Sequence, residues 1–553
     1  MQSYLQYRRL GNVVRSQLEN ASPVKEASTP ADSETGPVAN PDRINHESAP
    51  GQIPLARRAS WGSSRTALAY SIAGIDVKKQ SESTDQPAHL FIFGWDGPHD
   101  PENPLNYSFA SRLTATLLVS ALGFIVGAAS SINSGVLTQN IEAFHVSEVV
   151  GSLVTGLYLL GFAAGSLVSG PLSEILGRNA VYAGSLTLFM IFIMGSALAP
   201  NIGAQLAFRF LAGTMYFPLY AVLSFGGPVL GPVIASYMGQ TGVLSWRWTA
   251  WIILVASGAI FVLIILFQPE TYSPLLLKWK GKQLCKITGD PRFRSEMDME
   301  KIALFSRIGG AMERQFLITI HEPIILLISL YMTVLYIVLF TFFDGYTYIF
   351  SEMHGLSQGL TNIVWGAMYI GILLSGLLLP VIYRGTKEEF TRAAEVVNGS
   401  DPTVDPRALD GVHTQPEIRL WFAMVGAPFI PISLFWMGWT DFPSISVWSP
   451  IIATSAFGFG TICVFISSYM YVIDSYGIYA ASALGFMTVS RYCAAGGMTI
   501  VGIPFYKNMG VHWTLTILGC ISALMVPVPY VFYKFGPVIR RWSRYAMTED
   551  VKV

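Results

Sequence analysis

The sequence predicts an all-α polytopic membrane protein. Of its 553 residues, 52% are hydrophobic and only 13% are charged, whereas a soluble domain carries about 25% charged residues. The apolar residues form runs of about 18 or more, which is long enough to cross a hydrocarbon core roughly 30 Å thick. Lys plus Arg equals Asp plus Glu at 35 each. Net charge therefore identifies no partner, and no basic patch with interleaved aromatic residues indicates nucleic acid.

The chain begins with a polar segment, residues 1–108. It is rich in Ser, Pro, Asn and charged residues, and we find no apolar period in it. Such a composition buries too little apolar surface to offset the entropy lost on ordering. We therefore expect a disordered cytoplasmic tail. No apolar signal-peptide segment follows Met1, so we expect the first span to direct membrane insertion.

Eleven apolar runs follow this segment. Ten of them have the length of one membrane span, and the run at 202–238 is too long for one. In chain order the runs are 112–136, 149–169, 179–199, 202–238, 248–267, 323–343, 361–383, 420–439, 446–471, 478–502 and 513–533.

The positions of Lys and Arg predict the orientation, because basic connections stay on the cytoplasmic side. The tail, the segments 268–322 and 384–419 and the C-terminal end all carry several Lys and Arg residues. Connections without Lys or Arg lie near 137–148, 200, 351–360 and 440–445. Both termini are thus expected in the cytoplasm. The segment 268–322 can join them there only if 202–238 crosses the membrane twice.

This count gives twelve spans and five regions. They are a tail at 1–108, a six-helix bundle at 109–267, a cytoplasmic loop at 268–322, a second six-helix bundle at 323–533 and a cytoplasmic tail at 534–553. Two crossings within 202–238 leave almost no turn, at the short limit for a tilted helix. Pro218 is the expected break, because its ring excludes a helical hydrogen bond.

The connection between the second and third spans reads "GPLSEILGRNAVY" at 170–182. Gly170 and Gly177 allow a tight cytoplasmic turn, and Glu174 and Arg178 can pair with helix ends or with charges on neighbouring spans in one conformation. We interpret these four residues as a gating motif. The alternative is a generic polar loop.

A second motif, "FGGPVLGPV" at 225–233, lies in the fifth predicted span. Gly227 and Gly231 allow close backbone approach, and Pro228 and Pro232 favour a bend. This pattern fits a contact on which two bundles rock. The alternative is a kinked packing helix.

Six plus six spans around a basic loop, together with both motifs, resemble the major facilitator superfamily. Its loop motif, G-x-L-x-D-x-x-G-R-basic, is matched at most positions and departs at Asn179. A narrower set of strings resembles the fungal twelve-span drug:proton antiporters. In chain order these are "WDGPHDPENPLNYS", "PETYSPLLLKWKGKQL", "FFDGYTYIF", "ISLFWMGWT" and "YVIDSYGIYAASAL".

The resemblance implies a major facilitator fold of two pseudo-symmetric six-helix bundles in the plasma membrane. It also implies a monomer without a cofactor that uses the proton gradient to export drugs, toxins or fungal secondary metabolites. Members of the family carry roughly twenty further residues, about one span's worth, where "TMY" follows Gly213 here. We therefore expect spans 4 and 5 to be compressed by a deletion near 214–217. A lost exon, a wrong gene prediction and a true deletion would look alike.

Three charged residues within apolar runs are candidates for the substrate or proton pathway, because ionisable groups are costly in a membrane. They are Arg209, Asp344 and Arg491. Desolvation among aromatic residues would favour a protonated Asp344, as a proton carrier needs. The alternatives are an Arg209 that snorkels, an Asp344 at the outer interface and an Arg491 that offsets a carboxylate. Asp474 is expected in a cytoplasmic connection with a structural role.

Aromatic residues are candidates for the pocket lining, although such stripes more often face lipid or pack against helices. They are Phe340, Phe342, Tyr346, Phe435 and Trp436. No catalytic triad, phosphate loop or metal constellation is present, so we predict neither an enzyme nor a metal site. The four cysteines lie far apart without ligand spacing. The function alternatives are a nutrient or polyamine facilitator of the same fold and a product made transport-inactive by the shortened span 4.

Overall fold

A computed structural model describes most of the chain outside the polar N-terminal segment. It covers residues 1–20, 75–79, 89–95, 99–215, 226–238, 244–290, 292–299, 304–382, 384–385, 387–388, 415–543 and 545. These residues form two compact units. The terminal-loop unit comprises Met1–Thr116, Leu176–Ala180 and Ile265–Ala303, and the membrane unit comprises Leu117–Ile175, Val181–Ile264 and Leu304–Val553.

Long apolar helices dominate the structure. Within the described residues, nine helical segments are long and apolar enough to cross a membrane. In chain order they are Phe109–Phe144, Glu148–Leu176, Arg178–Ala197, Trp248–Phe267, Pro323–Glu352, Gln358–Ile382, Pro416–Thr440, Trp448–Tyr476 and Ala480–Trp542. The last segment is interrupted at Gly510, which has φ of +74° and is not helical. It therefore contains two crossings.

Two shorter helices lie where the sequence predicts compressed crossings. They are Ile202–Thr214 and Gly226–Ile234, of 13 and 9 residues. Asn201 caps the first of them by accepting a hydrogen bond from the Ala204 N–H at 2.8 Å. With these two included, the described residues contain twelve helices at the positions of the predicted spans, and we number them in chain order. The predicted break at Pro218 and the deletion at 214–217 fall largely on 216–225, outside the described residues.

Helices one to six form the first bundle, and helices seven to twelve form the second. Small residues allow close helix contacts in the first bundle. Side chains at Gly161 of the second helix and Gly213 of the fourth would strike the backbone of the facing helix. The bundle can therefore place these two helices backbone to backbone, as is common where lipid supplies no hydrophobic driving force.

The terminal-loop unit begins with a helix, Gln2–Asn20. Its buried Leu10, Val14 and Leu18 recur every four residues and face the helix Ser273–Thr288. Strands β1 (Ile75–Lys79), β2 (His89–Phe93) and β3 (Phe293–Arg294) form a small sheet in this order. β1 pairs with β2 in antiparallel fashion, and β2 pairs with β3 in parallel.

These elements correct the prediction of a disordered segment at 1–108. That prediction is wrong for residues 2–20, 75–79 and 89–93, which form a helix and strands. The physical reason is a partner outside the segment, because the short apolar stripe of the first helix is buried against the loop helix Ser273–Thr288. Residues 21–74 lie outside the described part of the chain. The predicted central loop also contains the helix Leu304–His321.

Candidate functional site

The two bundles contact each other at one end of the membrane unit. We call it the outer end, and its connections are 145–147, 198–201, 353–357 and 441–447. Gln139 donates a hydrogen bond to the Gln358 side-chain oxygen at 2.9 Å, and Gln358 in turn donates to the Gly135 carbonyl at 2.8 Å. Asn362 donates to the same carbonyl at 3.0 Å. Polar side chains of the eighth helix thus bind the end of the first.

A second contact joins the second and eleventh helices across the two bundles. Ser152 donates a hydrogen bond to the Thr499 carbonyl at 2.8 Å. A side chain at Gly156 would strike Thr499, so this position allows the close approach. Glu148 pairs with Lys507 at 2.6 Å at the outer end of the same two helices. The outer halves of the bundles are therefore held together by hydrogen bonds and an ion pair.

Arg209 lies inside the first bundle and does not snorkel. It is only 2% exposed and lies over the ring of Tyr158, 4.4 Å from the centroid. It donates to the carbonyls of Ala129 at 2.7 Å and Val154 at 3.4 Å. Because these partners belong to the first and second helices, Arg209 of the fourth helix links three helices of its bundle.

Arg491 occupies a cage of aromatic rings in the second bundle. It is 1% exposed, and its guanidinium carbon lies 4.7 to 5.4 Å from the centroids of four rings. It also donates a hydrogen bond to the hydroxyl of Tyr469. The rings come from the seventh, tenth and eleventh helices and belong to Tyr336, Phe465, Tyr469 and Tyr492.

The surroundings of the two arginines are joined by aromatic contacts across the bundle interface. Phe162 of the second helix lies 4.7 Å from Tyr158 and 5.0 Å from Tyr492, the latter edge to face. Ring contacts therefore connect Arg209 to Arg491 through Tyr158, Phe162 and Tyr492. The sequence analysis missed these rings, although Tyr158 and Phe162 are four residues apart and share a helix face.

Asp344 is buried in the second bundle, at 5% exposure. A side chain at Gly502 of the eleventh helix would lie 2.6 Å from its Oδ2 atom, so the carboxyl group touches that helix. This oxygen has no hydrogen-bond partner among the described residues. The chain then passes into a π-helical segment, Thr347–Glu352. The alternative of an exposed acid at the interface does not fit this burial.

The remaining candidates are dispersed. Phe342 and Tyr346 are buried in the second bundle, where Phe342 packs on Phe457 and Tyr346 packs on Trp365. Trp436 is 38% exposed and donates to Ser449 at 3.0 Å. Phe342 and Tyr346 are thus part of the packed interior of the second bundle, and Trp436 lies at a surface. Asp474 pairs with Arg419 at 2.7 Å near the opposite end.

The predicted gating motif lies at the end of the second helix. Gly170 has open space around it, and Glu174 is exposed. Gly177 has φ of +87°, and a side chain there would strike Leu275 and the carboxylate of Glu270. A glycine is therefore required at this position on two grounds.

Glu270 organises this turn, although the sequence did not predict a role for it. Its carboxylate accepts hydrogen bonds from the N–H groups of Arg178 at 3.1 Å and Asn179 at 3.2 Å. It also accepts from the N–H groups of Thr271 and Tyr272, both at 2.9 Å. A carboxylate at the start of the helix Arg178–Ala197 satisfies free N–H groups and complements the helix dipole. The described hydrogen bond of Arg178 is made by its main chain.

The fifth-helix motif packs against helices of both bundles. Side chains at Gly227 and Gly231 would strike the backbone of the first helix. Pro228 accepts a hydrogen bond from Ser131 of that helix at 2.6 Å, and Pro232 is buried. The neighbouring Gly226 faces the second bundle, where a side chain would lie 3.0 Å from Tyr369. The fifth helix also packs along the eighth helix of that bundle. The fifth helix thus lies between the first helix and the eighth.

A titratable cluster lies at the outer end, beyond the ninth helix. Asp441 is buried, and its Oδ1 atom lies 3.1 Å from Nε2 of His354. Burial raises the pKa of Asp441 to about 7, although the nearby His512 opposes this shift. Burial also lowers the pKa of His354. Near neutral pH Asp441 is therefore partly protonated, whereas the imidazole of His354 is mostly neutral.

We expect the stability of the protein to fall as pH rises from 6 to 8. The folded state retains a proton on Asp441 up to about pH 7, whereas the unfolded state loses it near 3.8, so this contribution disappears as pH passes through 7. The lowered pKa of His354 acts in the opposite direction below about 6.5. In the Asp441→Asn variant, the midpoint of thermal unfolding should vary less with pH over this range. At pH 8 it should be about 2 °C higher than in the wild type. An unchanged pH slope in the variant would contradict this assignment.

Comparison with known proteins extends these observations. The profile of the Major Facilitator Superfamily matches residues 119–224 and 215–499, so 215–224 is matched by both pieces. The chain is 46% identical over 499 residues to the MFS-type transporter kojT of Aspergillus flavus, covering 86% of each chain. It is 33% identical over 478 residues to the MFS-type efflux pump MFS2 of Trichophyton rubrum, covering 82% of this chain and 77% of the pump.

Two further comparisons concern a gene cluster and a fold. The chain is 31% identical over 504 residues to the citrinin biosynthesis cluster MFS transporter mrr1 of Monascus ruber, covering 86% of this chain and 97% of mrr1. Among solved structures, it resembles the proton:xylose symporter XylE with a TM-score of 0.51 and 16% identity. That similarity covers 78% of this chain and 96% of XylE, and it concerns the fold alone.

Proposed function

Because the chain belongs to the Major Facilitator Superfamily, we propose that it is a proton-coupled exporter of amphipathic small molecules. Drugs, toxins and fungal secondary metabolites are the substrate classes in question. Among its relatives, one is named an efflux pump and another a transporter of a biosynthesis cluster, and these names support export. Two rocking bundles with a site near the midplane are the usual means of transport in this fold.

The observation that carries proton coupling is the position of Asp344. An ionised carboxylate is costly inside a helix bundle, so a buried acid is by default a functional group. Asp344 touches Gly502 on the eleventh helix, and the same helix contacts the first bundle through Thr499. Gain or loss of a proton at Asp344 therefore acts on a helix that forms the bundle interface.

The proposed cycle uses this arrangement. Neutral Asp344 is compatible with the apolar packing of the seventh and eleventh helices, whereas the ionised group draws water or a cation towards it. Proton uptake from outside and release inside would thus favour different arrangements of the eleventh helix. A ligand bound between the bundles shifts the same equilibrium by its different affinity for the two states.

We also propose a location, an oligomeric state and an orientation. The protein lies in the plasma membrane as a monomer that needs no cofactor, with both termini in the cytoplasm. The orientation is supported by the Lys and Arg residues of the connections 268–322 and 384–419, because connections that carry Lys and Arg remain on the cytoplasmic side. On this basis the contacts at the outer end close the extracellular side and leave the substrate path to open inward.

The region between the fourth and fifth helices favours a second candidate, a transport-inactive product. The two helices are short in the described residues, and the family profile matches 215–224 twice. A double match is expected where part of the family pattern has no counterpart in the chain. We propose that the shortened region lowers activity without abolishing it, because a crossing short by about a turn costs fractions of a kcal/mol per Å of mismatch.

Efflux from intact yeast cells that express the full chain tests the proposal. Cells are loaded with Nile red, a neutral amphipathic dye, or with rhodamine 6G, a cationic one. Expressing cells should retain less of at least one dye than vector cells, and a protonophore should remove the difference. Retention that is lowered but indifferent to the protonophore would identify a facilitator instead.

Equal retention in expressing and vector cells would contradict export by this chain. The reason is then found by inserting about twenty residues of family sequence, one span's worth, after Gly213. Efflux that appears only after this insertion identifies the shortened region as the cause, and thus the inactive product. Absence of efflux in both chains overturns the export proposal itself.

A further inference from the structure

We propose that a basic cleft in the terminal-loop unit binds a ligand with several phosphate groups, either a phosphorylated lipid headgroup or a dissolved polyphosphate. The cleft lies between the N-terminal helix Gln2–Asn20 and the loop helix Ser273–Thr288. Its volume is about 580 Å³, which is within the range of small-molecule sites. This inference goes beyond the proposed function and does not depend on it.

The first observation is a stripe of residues along the N-terminal helix. Tyr4, Arg8, Gly11 and Arg15 line the cleft and follow one another at intervals of four, three and four positions, which is the spacing of one helix face. A side chain at Gly11 would lie 3.0 Å from the end of Gln283 on the loop helix, so this glycine allows the two helices to approach. The stripe therefore forms one wall of the cleft.

The second observation is the charge of the cleft. Arg8 and Arg15 of the N-terminal helix and Lys286 of the loop helix are exposed cations that line it. Among the described residues of the lining, Glu19 is the one acid. Positive charges on both helices attract an anion that carries more than one negative charge and hold it between them.

The third observation is that these cations lack partners within the unit. Three neighbouring cations of the same two helices form ion pairs, namely Arg9 with Glu102 at 3.4 Å, Lys280 with Asp100 at 3.8 Å and Lys278 with Asp298 at 3.1 Å. By contrast, no described acid lies at ion-pair distance from Arg8, Arg15 or Lys286. The paired cations therefore stabilise the unit, and the three cations of the cleft can bind a ligand.

Phosphate groups match the donors of the cleft. A guanidinium presents a planar fork to two phosphate oxygens, and a lysine ammonium binds phosphate as a point charge. The hydroxyl groups of Tyr4 and Tyr7 add O–H donors to the lining. Arg8 and Arg15 are separated by two helical turns, or about 10 Å along the axis. A ligand with phosphate groups at several positions can therefore contact both guanidinium groups at once.

The cleft is close to the end of the sixth membrane helix. Gln6 donates a hydrogen bond to the Glu270 carbonyl at 3.2 Å and accepts one from the Glu270 N–H at 2.9 Å. The sixth helix ends at Phe267, three positions before Glu270, and Arg8 follows Gln6 by two positions. A lipid headgroup and a dissolved polyphosphate can both reach a cleft in this place.

Binding of inositol hexakisphosphate, a soluble polyphosphate, tests the inference. The full-length protein is reconstituted in phosphatidylcholine nanodiscs, and binding of the radiolabelled compound is measured at equilibrium. We expect saturable binding that weakens as the salt concentration rises, because salt screens exposed charges. The variant that combines Arg8→Gln, Arg15→Gln and Lys286→Gln should bind about tenfold more weakly or less, because three charge-assisted contacts are lost.

Two further variants assign the binding to the cleft. Arg8→Lys combined with Arg15→Lys keeps both charges and should retain most of the binding. The matched control combines Lys282→Gln, Lys534→Gln and Arg541→Gln, which removes three exposed cations outside the cleft. This control lowers the total charge by the same amount and should leave binding unchanged. If the triple cleft variant gives no monodisperse protein, Arg15→Gln alone replaces it and should weaken binding about threefold.

A second arm distinguishes the two sources of the phosphate groups. Nanodiscs that contain phosphatidylinositol bisphosphate are compared with nanodiscs that contain phosphatidylserine at the same total charge. Loss of labelled binding in the first kind alone shows that the lipid headgroup occupies the cleft. Equal and undiminished binding in both kinds shows that the ligand is a dissolved polyphosphate.

Several outcomes overturn the inference. They are the absence of saturable binding to the wild type, equal binding by the wild type and a folded cleft variant, and a matched control that loses binding as fully as the cleft variant. Equal loss of binding in both kinds of nanodisc also overturns it, because the cleft then responds to charge without a preference for several phosphate groups. Dye efflux enters none of these measurements, so failure of the exporter proposal leaves this test unaffected.

Discussion

Replacing Asp344 with asparagine is expected to reduce proton-driven efflux on the order of tenfold or more. Asparagine has nearly the same shape and remains uncharged, so it mimics the protonated carboxyl group beside Gly502 and should preserve the packing of the seventh and eleventh helices. The asparagine side chain cannot release a proton, so the proton gradient can no longer drive transport through this position. Initial rates of dye efflux in expressing cells, normalised to surface protein, measure the effect.

The control for this prediction is a second acid of the same bundle. Asp474→Asn breaks the partly exposed pair with Arg419, and exposed pairs contribute only about 0–1 kcal/mol. It should change efflux less than about twofold. Efflux by Asp344→Asn that equals wild type and remains sensitive to the protonophore would show that another group carries the proton.

Replacing Glu270 with alanine is expected to lower both the amount of folded protein and its efflux, the latter on the order of tenfold. The residue is 1% exposed and accepts four main-chain hydrogen bonds. Each buried N–H left without a partner costs about 1–3 kcal/mol. The turn at Gly177 would also lose the carboxylate against which it packs.

One variant separates the hydrogen bonds of Glu270 from its charge, and a second changes another acid of the same connection. Glu270→Gln retains one acceptor oxygen, so it should lose less folded protein than the alanine variant. Glu174→Ala changes an exposed acid of the same connection and should leave the amount of folded protein unchanged. Its efflux tests the predicted gating role of Glu174. Surface biotinylation and size-exclusion profiles give the amount of folded protein. Normal levels and normal efflux for Glu270→Ala would show that the turn is held by other contacts.

Hydropathy and charge position predicted most of the fold, because each is a local property of the chain. Each of the ten single-length runs overlaps a described helix, and most of these helices extend beyond the run at one end or both. The helix at 2–20 could not be found in this way. Leu10, Val14 and Leu18 form a narrow stripe among polar residues, and this stripe is stable only because a helix more than 250 positions later covers it.

The charged residues of the candidate site were predicted from the sequence, but the residues that contact them were not. An arginine in an apolar run is conspicuous, and the structure places Arg209 and Arg491 inside their bundles. Their tyrosine and phenylalanine partners belong to other helices, and no local pattern distinguishes them from ordinary membrane aromatics. Glu270 was hidden for another reason. It lies just outside a span, where a carboxylate normally faces water.

The eleventh helix carries Arg491 and also Gly502, against which Asp344 rests. About 11 residues separate the two positions, or three helical turns, so one helix carries the buried arginine and contacts the buried acid. Gly496 and Pro504 lie within or beside this stretch, and both soften a helix. If the protein is proton-coupled as proposed, a soft eleventh helix favours slippage, in which protons pass inward without cargo.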